Sequence, residues 1–232
     1  MFKLFIFIFI FLVNICSLQA NEKNLQKLIE LQYPDIKIQS IKKTSFNDLY
    51  EVYLGNQIIY TDKTFKFLII EGQLVDPKTK TNITAERLAD LQRIDFEKLP
   101  MDLAIKLKKG NGQKKVAVFS DIDCPFCRKL EKDVLMKLDN VEIYTFIFPL
   151  AIHPEAEQKS LQIWCSDDPA ANWVKFMKTA DLPDNKGDCA SPIDEIQNFA
   201  KKYGVQSTPT IVFQDGRRVS GAIPMDEFKS LL

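Results

Sequence analysis

The chain reads as an α/β protein in two parts: a small α+β unit, then a larger unit whose strand–helix alternation is interrupted by a helical insertion. Three observations predict this. Residues 21–76 give a short helix followed by closely spaced β-rich runs. Residues 101–232 alternate apolar strands with helical patterns, the signature of a sheet covered by helices. Within that second part, Cys124-Pro125-Phe126-Cys127 follows the apolar run Val116–Phe119 and opens the helical pattern from Arg128 to Leu135.

The first twenty residues stand apart. Lys3 precedes an apolar run from Leu4 to Val13, and a more polar stretch then ends at Ala20, so residues 1–20 read as a cleaved secretory signal peptide. The run is shorter than the roughly 20 residues that span a bilayer, and Ile15 is too bulky for Cys16 to mark a lipoprotein. The whole chain carries 31 basic and 31 acidic residues; loss of the leader removes only Lys3 among them and leaves a net charge of −1. That balance argues against an electrostatic nucleic-acid binder. Four cysteines then remain: Cys124, Cys127, Cys165 and Cys189.

Residues 22–32 place Leu25, Leu28, Ile29 and Leu31 at near-helical spacing, stopped by Tyr33-Pro34. Strands are expected over 36–41, 49–54, 57–61 and 65–70, with Gly55-Asn56 and Glu71-Gly72 as turns. Such a unit is near the lower limit for an adequate core. Its last strand, apolar on both faces, would aggregate if left open, and pairing with a second copy is the economical remedy. The segment 77–100 is expected to be a linker: after the polar break Asp76–Thr81, Thr84 serves as N-cap of a helix of some 15 residues bearing Leu88, Leu91, Ile94 and Leu99, ending near Pro100.

From residue 101 the expected order is strand 103–107, strand 114–119, helix 125–138, strand 141–148, a helical region 155–203, strand 210–213, a turn at Asp215-Gly216, strand 217–220 and helix 224–232. A helical insertion within a β-α-β…β-β-α order is the thioredoxin-like pattern.

The chemistry lies in the paired thiols. The first turn of a helix has unsatisfied N–H groups and the positive end of the helix dipole, so a sulfur there is favoured as thiolate, the form that attacks disulfides. Cys124, nearer the helix start, is the expected nucleophile, and Cys127, one turn on, the resolving thiol. Pro125 suits the first helical position. A zinc site needs four ligands, and no second closely spaced pair is present; His153, the one histidine, has no ligand-spaced partner and reads as a loop residue. Asp121 and Asp123 read as solvated loop carboxylates beside the helix start, with tuning of the thiolate as the alternative. Four cysteines allow three connectivities; with the adjacent pair taken by redox chemistry, Cys165–Cys189 is the expected structural bridge. Thr208-Pro209 precedes the strand Thr210–Phe213 roughly eighty residues after the thiols, where a cis-proline turn can face them and leave the Thr208 backbone free to pair with an extended substrate.

The runs Val118–Leu130, Ile163-Trp164-Cys165 and Gly204–Thr210 together resemble the periplasmic disulfide isomerases of the DsbC/DsbG family. The resemblance covers essentially the whole mature chain. It implies a cystatin-like N-terminal dimerisation domain, a linker helix and a thioredoxin-like catalytic domain, assembled as a V-shaped homodimer whose cleft holds misfolded client protein. Carried over by position, Cys124 is similar to the nucleophile, Cys127 to the resolving cysteine, Thr208-Pro209 to the cis-proline pair that binds substrate, and Cys165 with Cys189 to a structural disulfide. The dipeptide between the thiols departs from the Gly-Tyr of DsbC toward the Pro-Tyr of DsbG, whereas the second cysteine pair is a DsbC trait.

The implied activity is rearrangement of non-native disulfides in exported proteins, with no cofactor and no metal. Clients with disulfides and a membrane reductase of DsbD type, as electron donor, are the implied partners. Two other readings compete: a monomeric oxidase or dedicated reductase, for which residues 21–75 have no use, and a holdase whose thiols matter little.

Overall fold

The computed structural model describes residues 20–232, which form two compact units, one ending at Leu91 and one spanning Gln92–Leu232. The leader expected over 1–20 lies outside the described residues except for Ala20. No helix among the described residues is long and apolar enough to cross a membrane.

In the first unit a helix over 20–32 (α1) is followed by four strands, β1 (Ser40–Lys43), β2 (Tyr50–Tyr53), β3 (Ile58–Thr61) and β4 (Leu68–Ile69), in an antiparallel sheet of order β1-β2-β3-β4. Strand alternation sends Tyr50, Val52 and Ile59 to one face, where Leu25 and Ile29 of α1 complete a core. Glu51 and Tyr60, paired across β2 and β3, point to the other face. There α2 (Ile83–Leu91) meets them: Arg87 Nε bridges both Glu51 oxygens at 3.0 and 3.1 Å, and Tyr60 Oη lies 2.7 Å from Thr84 Oγ1. The sheet is thus covered on both sides, which explains how its central strands, Glu51 included, are buried.

Five expectations change here. The linker helix is nine residues, not some 15. Asn82 rather than Thr84 caps it, its Oδ1 accepting from Ala85 N at 3.0 Å, while the Thr84 hydroxyl is engaged by Tyr60 and by Leu74 N. Ile94 and Leu99, read as part of the same apolar stripe, belong instead to the core of the second unit, reached through a turn and the short 3-10 segments Phe96–Lys98 and Met101–Leu103. The first strand lies over 40–43 instead of 36–41, and the last is only two residues long. Phe65 adopts a left-handed backbone (φ 58°), while the Asp62 carboxylate binds the amides of Thr64 and Lys66, so a tight turn consumes the start of the expected strand.

The second unit is built on five strands: β5 (Ile105–Lys109), β6 (Lys114–Ser120), β7 (Val141–Ile147), β8 (Thr210–Phe213) and β9 (Arg218–Ser220). Their order is β5-β7-β6-β8-β9, parallel only between β6 and β7. The parallel pair is joined by α3 (Pro125–Asp133), and the insertion between β7 and β8 holds α4 (Ala156–Trp164), α5 (Pro169–Thr179) and α6 (Ile193–Lys202); α7 (Met225–Leu231) ends the chain. Alternation along β6 splits the core. Val116 and Val118 face Leu130 and Val134 of the α3 region and Phe228 of α7, whereas Ala117 and Phe119 face Ile196 and Ala200 of α6.

The expected helix 125–138 breaks at Val134, whose backbone is non-helical, and ends in the 3-10 turn Leu135–Lys137. At the β8–β9 turn Gly216 has φ 86°, and a Cβ there would stand 3.0 Å from the Ile94 carbonyl oxygen, so glycine serves both the turn and the close packing of residue 94.

Candidate active site

The fold brings the ends of β6 and β8 side by side, since Phe119 pairs with Thr210. The segments that leave β6 and enter β8 must therefore meet. The first carries the thiols: Cys124 is the N-cap of α3 with extended backbone (φ −70°, ψ 121°), and Pro125 takes the first helical position, where its missing N–H costs nothing. The second carries Thr208 and Pro209, joined by a cis peptide bond. Cys124 Sγ donates to the Thr208 carbonyl oxygen at 3.4 Å. Both thiols are free, and both are buried. Phe126, between them, is 61% exposed.

Cys127 lies one turn inside α3, in an apolar cluster with Ile122, Trp173 and Phe176. Burial pushes its thiol up to about 12, the neighbouring Cys124 adds to the effect, and the Ser120 hydroxyl and the Asp121 amide, 3.4 Å from the sulfur, act in the opposite sense. The Thr208 hydroxyl approaches the same sulfur and has no hydrogen-bond partner.

Cys165, at the end of α4, is disulfide-bonded to Cys189 with Cα atoms 5.7 Å apart. The bridge ties the loop after α5 to α4. Gly187 makes that approach possible: its φ is 65°, and a Cβ there would meet Leu161 Cβ at 2.8 Å and Gln162 N at 2.9 Å.

The two aspartates before Cys124 differ from the expectation of solvated carboxylates. Asp123 is partly exposed and pairs with Lys159 at 3.0 Å, which in turn pairs with Glu155 at 2.9 Å. Asp121 is wholly buried. Its Oδ1 accepts from Asp123 N at 2.8 Å, and its Oδ2 accepts from Leu150 N at 2.7 Å and from His153 Nδ1 at 2.8 Å. His153 is thus no isolated loop residue. No local pattern links positions 32 apart; only the pairing of β6 with β7 brings them together.

Sequence reasoning also passed over Glu131, one turn beyond Cys127 on the same helix face. Burial pushes this carboxyl up to about 7, against the pull of the Trp173 indole N–H at 3.4 Å and the charge of Lys109. Its place on an apolar helix face is the signal that could have marked it. Among the described residues no cluster of three or more His, Cys, Asp or Glu side chains could hold a metal ion.

Residues 101–232 match the family described as a thioredoxin-like domain, and residues 16–85 match that described as the disulfide bond isomerase protein N-terminal domain. The chain is 35% identical over 201 residues to the probable thiol:disulfide interchange protein DsbC of Bordetella pertussis, covering 87% of this chain and 70% of that one. It belongs to the DsbC-like family of thiol:disulfide interchange proteins. The probable thiol:disulfide interchange protein DsbC of Bordetella avium is 34% identical over 207 residues, 89% of this chain and 73% of its own. A disulfide interchange protein from Neisseria gonorrhoeae, known as a crystal structure, is 40% identical with a TM-score of 0.54, covering 57% of this chain and 94% of that one. As a DsbC-like protein the chain is a thiol–disulfide oxidoreductase built on a thioredoxin-like fold.

Proposed function

We propose that this DsbC-like protein rearranges non-native disulfides in exported proteins, with Cys124 as the attacking sulfur. The observation that carries the reading is Cys124 Sγ at the mouth of α3, 3.4 Å from the main chain of Thr208. A helix N-terminus favours negative charge, and the thiolate is the form of a cysteine that attacks a disulfide. The Thr208 main chain aligns an extended client segment as an added strand, without selecting side chains. Exposed Phe126 and Ile152, the latter beside His153, supply apolar surface suited to misfolded chains.

In the first step Cys124 thiolate forms a bond to one client sulfur as the client disulfide breaks, and the other client sulfur leaves as thiolate. Another client thiolate then attacks the client sulfur of the mixed disulfide, forming the rearranged client disulfide as Cys124 leaves as thiolate, with no net change of oxidation state. If the client stalls, Cys127 loses its proton and attacks Cys124. The client leaves reduced, and the two electrons it gains correspond to the new Cys124–Cys127 disulfide. Turnover then needs a thiol reductant, a membrane reductase of DsbD type, working in the periplasm after export through the 1–20 leader.

The N-terminal unit is assigned to dimerisation. Supporting this are the family match over 16–85 and the two-residue edge strand β4, whose Ile69 is exposed together with the flanking Phe67 and Ile70. The bridge Cys165–Cys189 is assigned a structural role. Refolding of a scrambled multi-disulfide client tests the reading: the native protein accelerates recovery of native disulfides and Cys124→Ala does not. Equal recovery with both proteins overturns it.

A further inference from the structure

Asp121 is the point on which the thiol loop is hung. Its main chain touches both cysteines, the N–H reaching Cys127 Sγ at 3.4 Å and the carbonyl accepting from Cys124 N at 3.2 Å. Its carboxylate, wholly buried, is held by two backbone amides and by His153. The amides are fixed donors. The imidazole is the one partner of this carboxylate that can change charge near neutral pH.

We propose that His153 is a positioning residue for thiol exchange: through Asp121 it holds the Cys124 loop in register with Thr208, and its protonation is coupled to the redox state of Cys124 and Cys127. The inference rests on the reading of Cys124 as the exchanging thiol and goes beyond it.

A carboxylate oxygen only accepts, so His153 Nδ1 carries the hydrogen of the 2.8 Å contact, and Nε2 is left to take up or release the proton. With His153 neutral, Asp121 is a net negative charge under the thiols. With His153 protonated, the pair is neutral overall. A thiolate at Cys124 therefore favours protonated His153, and formation of the Cys124–Cys127 disulfide, which removes the thiolate, weakens that preference. Linkage makes the effect mutual, so protonation of His153 favours the reduced thiolate form. The side chain of His153 is 21% exposed, enough for exchange of the proton with solvent. Of the other ionisable groups of these loops and of α4, Asp123, Lys159 and Glu155 pair among themselves at 3.0 and 2.9 Å, and Glu157 is exposed.

His153 is the only histidine in the chain, so its ring proton resonance is unambiguous by NMR. The expected result is a His153 pKa higher by about half a pH unit in protein reduced with dithiothreitol than in protein oxidised with glutathione disulfide, the order of a charge–charge coupling across a partly buried site. His153→Gln keeps a donor for Asp121 but cannot titrate, so an inflection from His153 is expected in the pH profile of Cys124 alkylation of the native protein and not in that of the variant. Superimposable His153 titrations in the two redox states, or an alkylation profile of His153→Gln identical to the native one, overturn the proposal. The NMR arm needs no variant and so does not depend on the folding of one. A Cys124 that alkylates no faster than Cys127 would instead sink the reading of Cys124 itself.

Discussion

Cys124 Sγ and the Thr208 carbonyl oxygen lie 3.4 Å apart although 84 residues separate them in sequence. The antiparallel pairing of β6 with β8 produces the meeting, because it sets the exit of one strand against the entry of the other. The sulfur therefore sits between a helix N-terminus and a stretch of main chain that can hold a partner, which is what exchange with an extended polypeptide demands.

The two thiols should differ sharply in reactivity. Cys127, pushed up to about 12 by burial, is protonated at neutral pH. Reduced protein treated with iodoacetamide at pH 7 should be modified at Cys124 at least about tenfold faster than at Cys127, as peptide mapping by mass spectrometry would show. Equal rates would remove the division of roles.

Glu131 should make stability depend on pH in a defined direction. Its carboxyl is raised from 4.5 to about 7 in the folded protein, so the folded state binds more protons than the unfolded state between those values. Stability from this group is fully present below about pH 4.5 and is lost as pH rises through about 7. Glu131→Gln should thus stabilise the protein at pH 8 by up to about 3 kcal/mol and flatten that part of the profile, at about 1.4 kcal/mol per pKa unit. Denaturant unfolding at a series of pH values, with the thiols kept reduced, measures it; an unchanged slope contradicts the assignment.

The bridge Cys165–Cys189 closes a loop across a separation of 24 residues. Replacing both cysteines with alanine should lower unfolding free energy by about 3 kcal/mol in the chain-entropy account while leaving Cys124 alkylation in place. Loss of the fast alkylation in a folded double variant would mean that the bridge shapes the thiol site directly.

Much of this was legible beforehand where the signal is local. Two thiols after an apolar strand, a proline at the first helical position and Thr-Pro before a second strand all sit within short windows, and the order of elements along the chain followed from alternation of patterns. The linker was not. Leu88, Leu91, Ile94 and Leu99 share a helical spacing, yet the last two face a different core, and no glycine or proline before Pro100 marks the break after Leu91. His153 does lie in a loop, but Asp121 was misread for a related reason: burial of a carboxylate depends on donors such as Leu150 N that only the folded chain supplies. Glu131 is hidden similarly, a charged residue on an otherwise apolar face whose cover, Trp173, comes from α5.

The central claim is that Cys124 is the sulfur that bonds to client, and a trapping experiment tests it most directly. In Cys127→Ser the resolving step is removed, so a disulfide-containing client should accumulate as a covalent adduct that dithiothreitol releases and that peptide mass spectrometry places on Cys124. An adduct on another residue, or none while the native protein turns over the same client, would contradict the account.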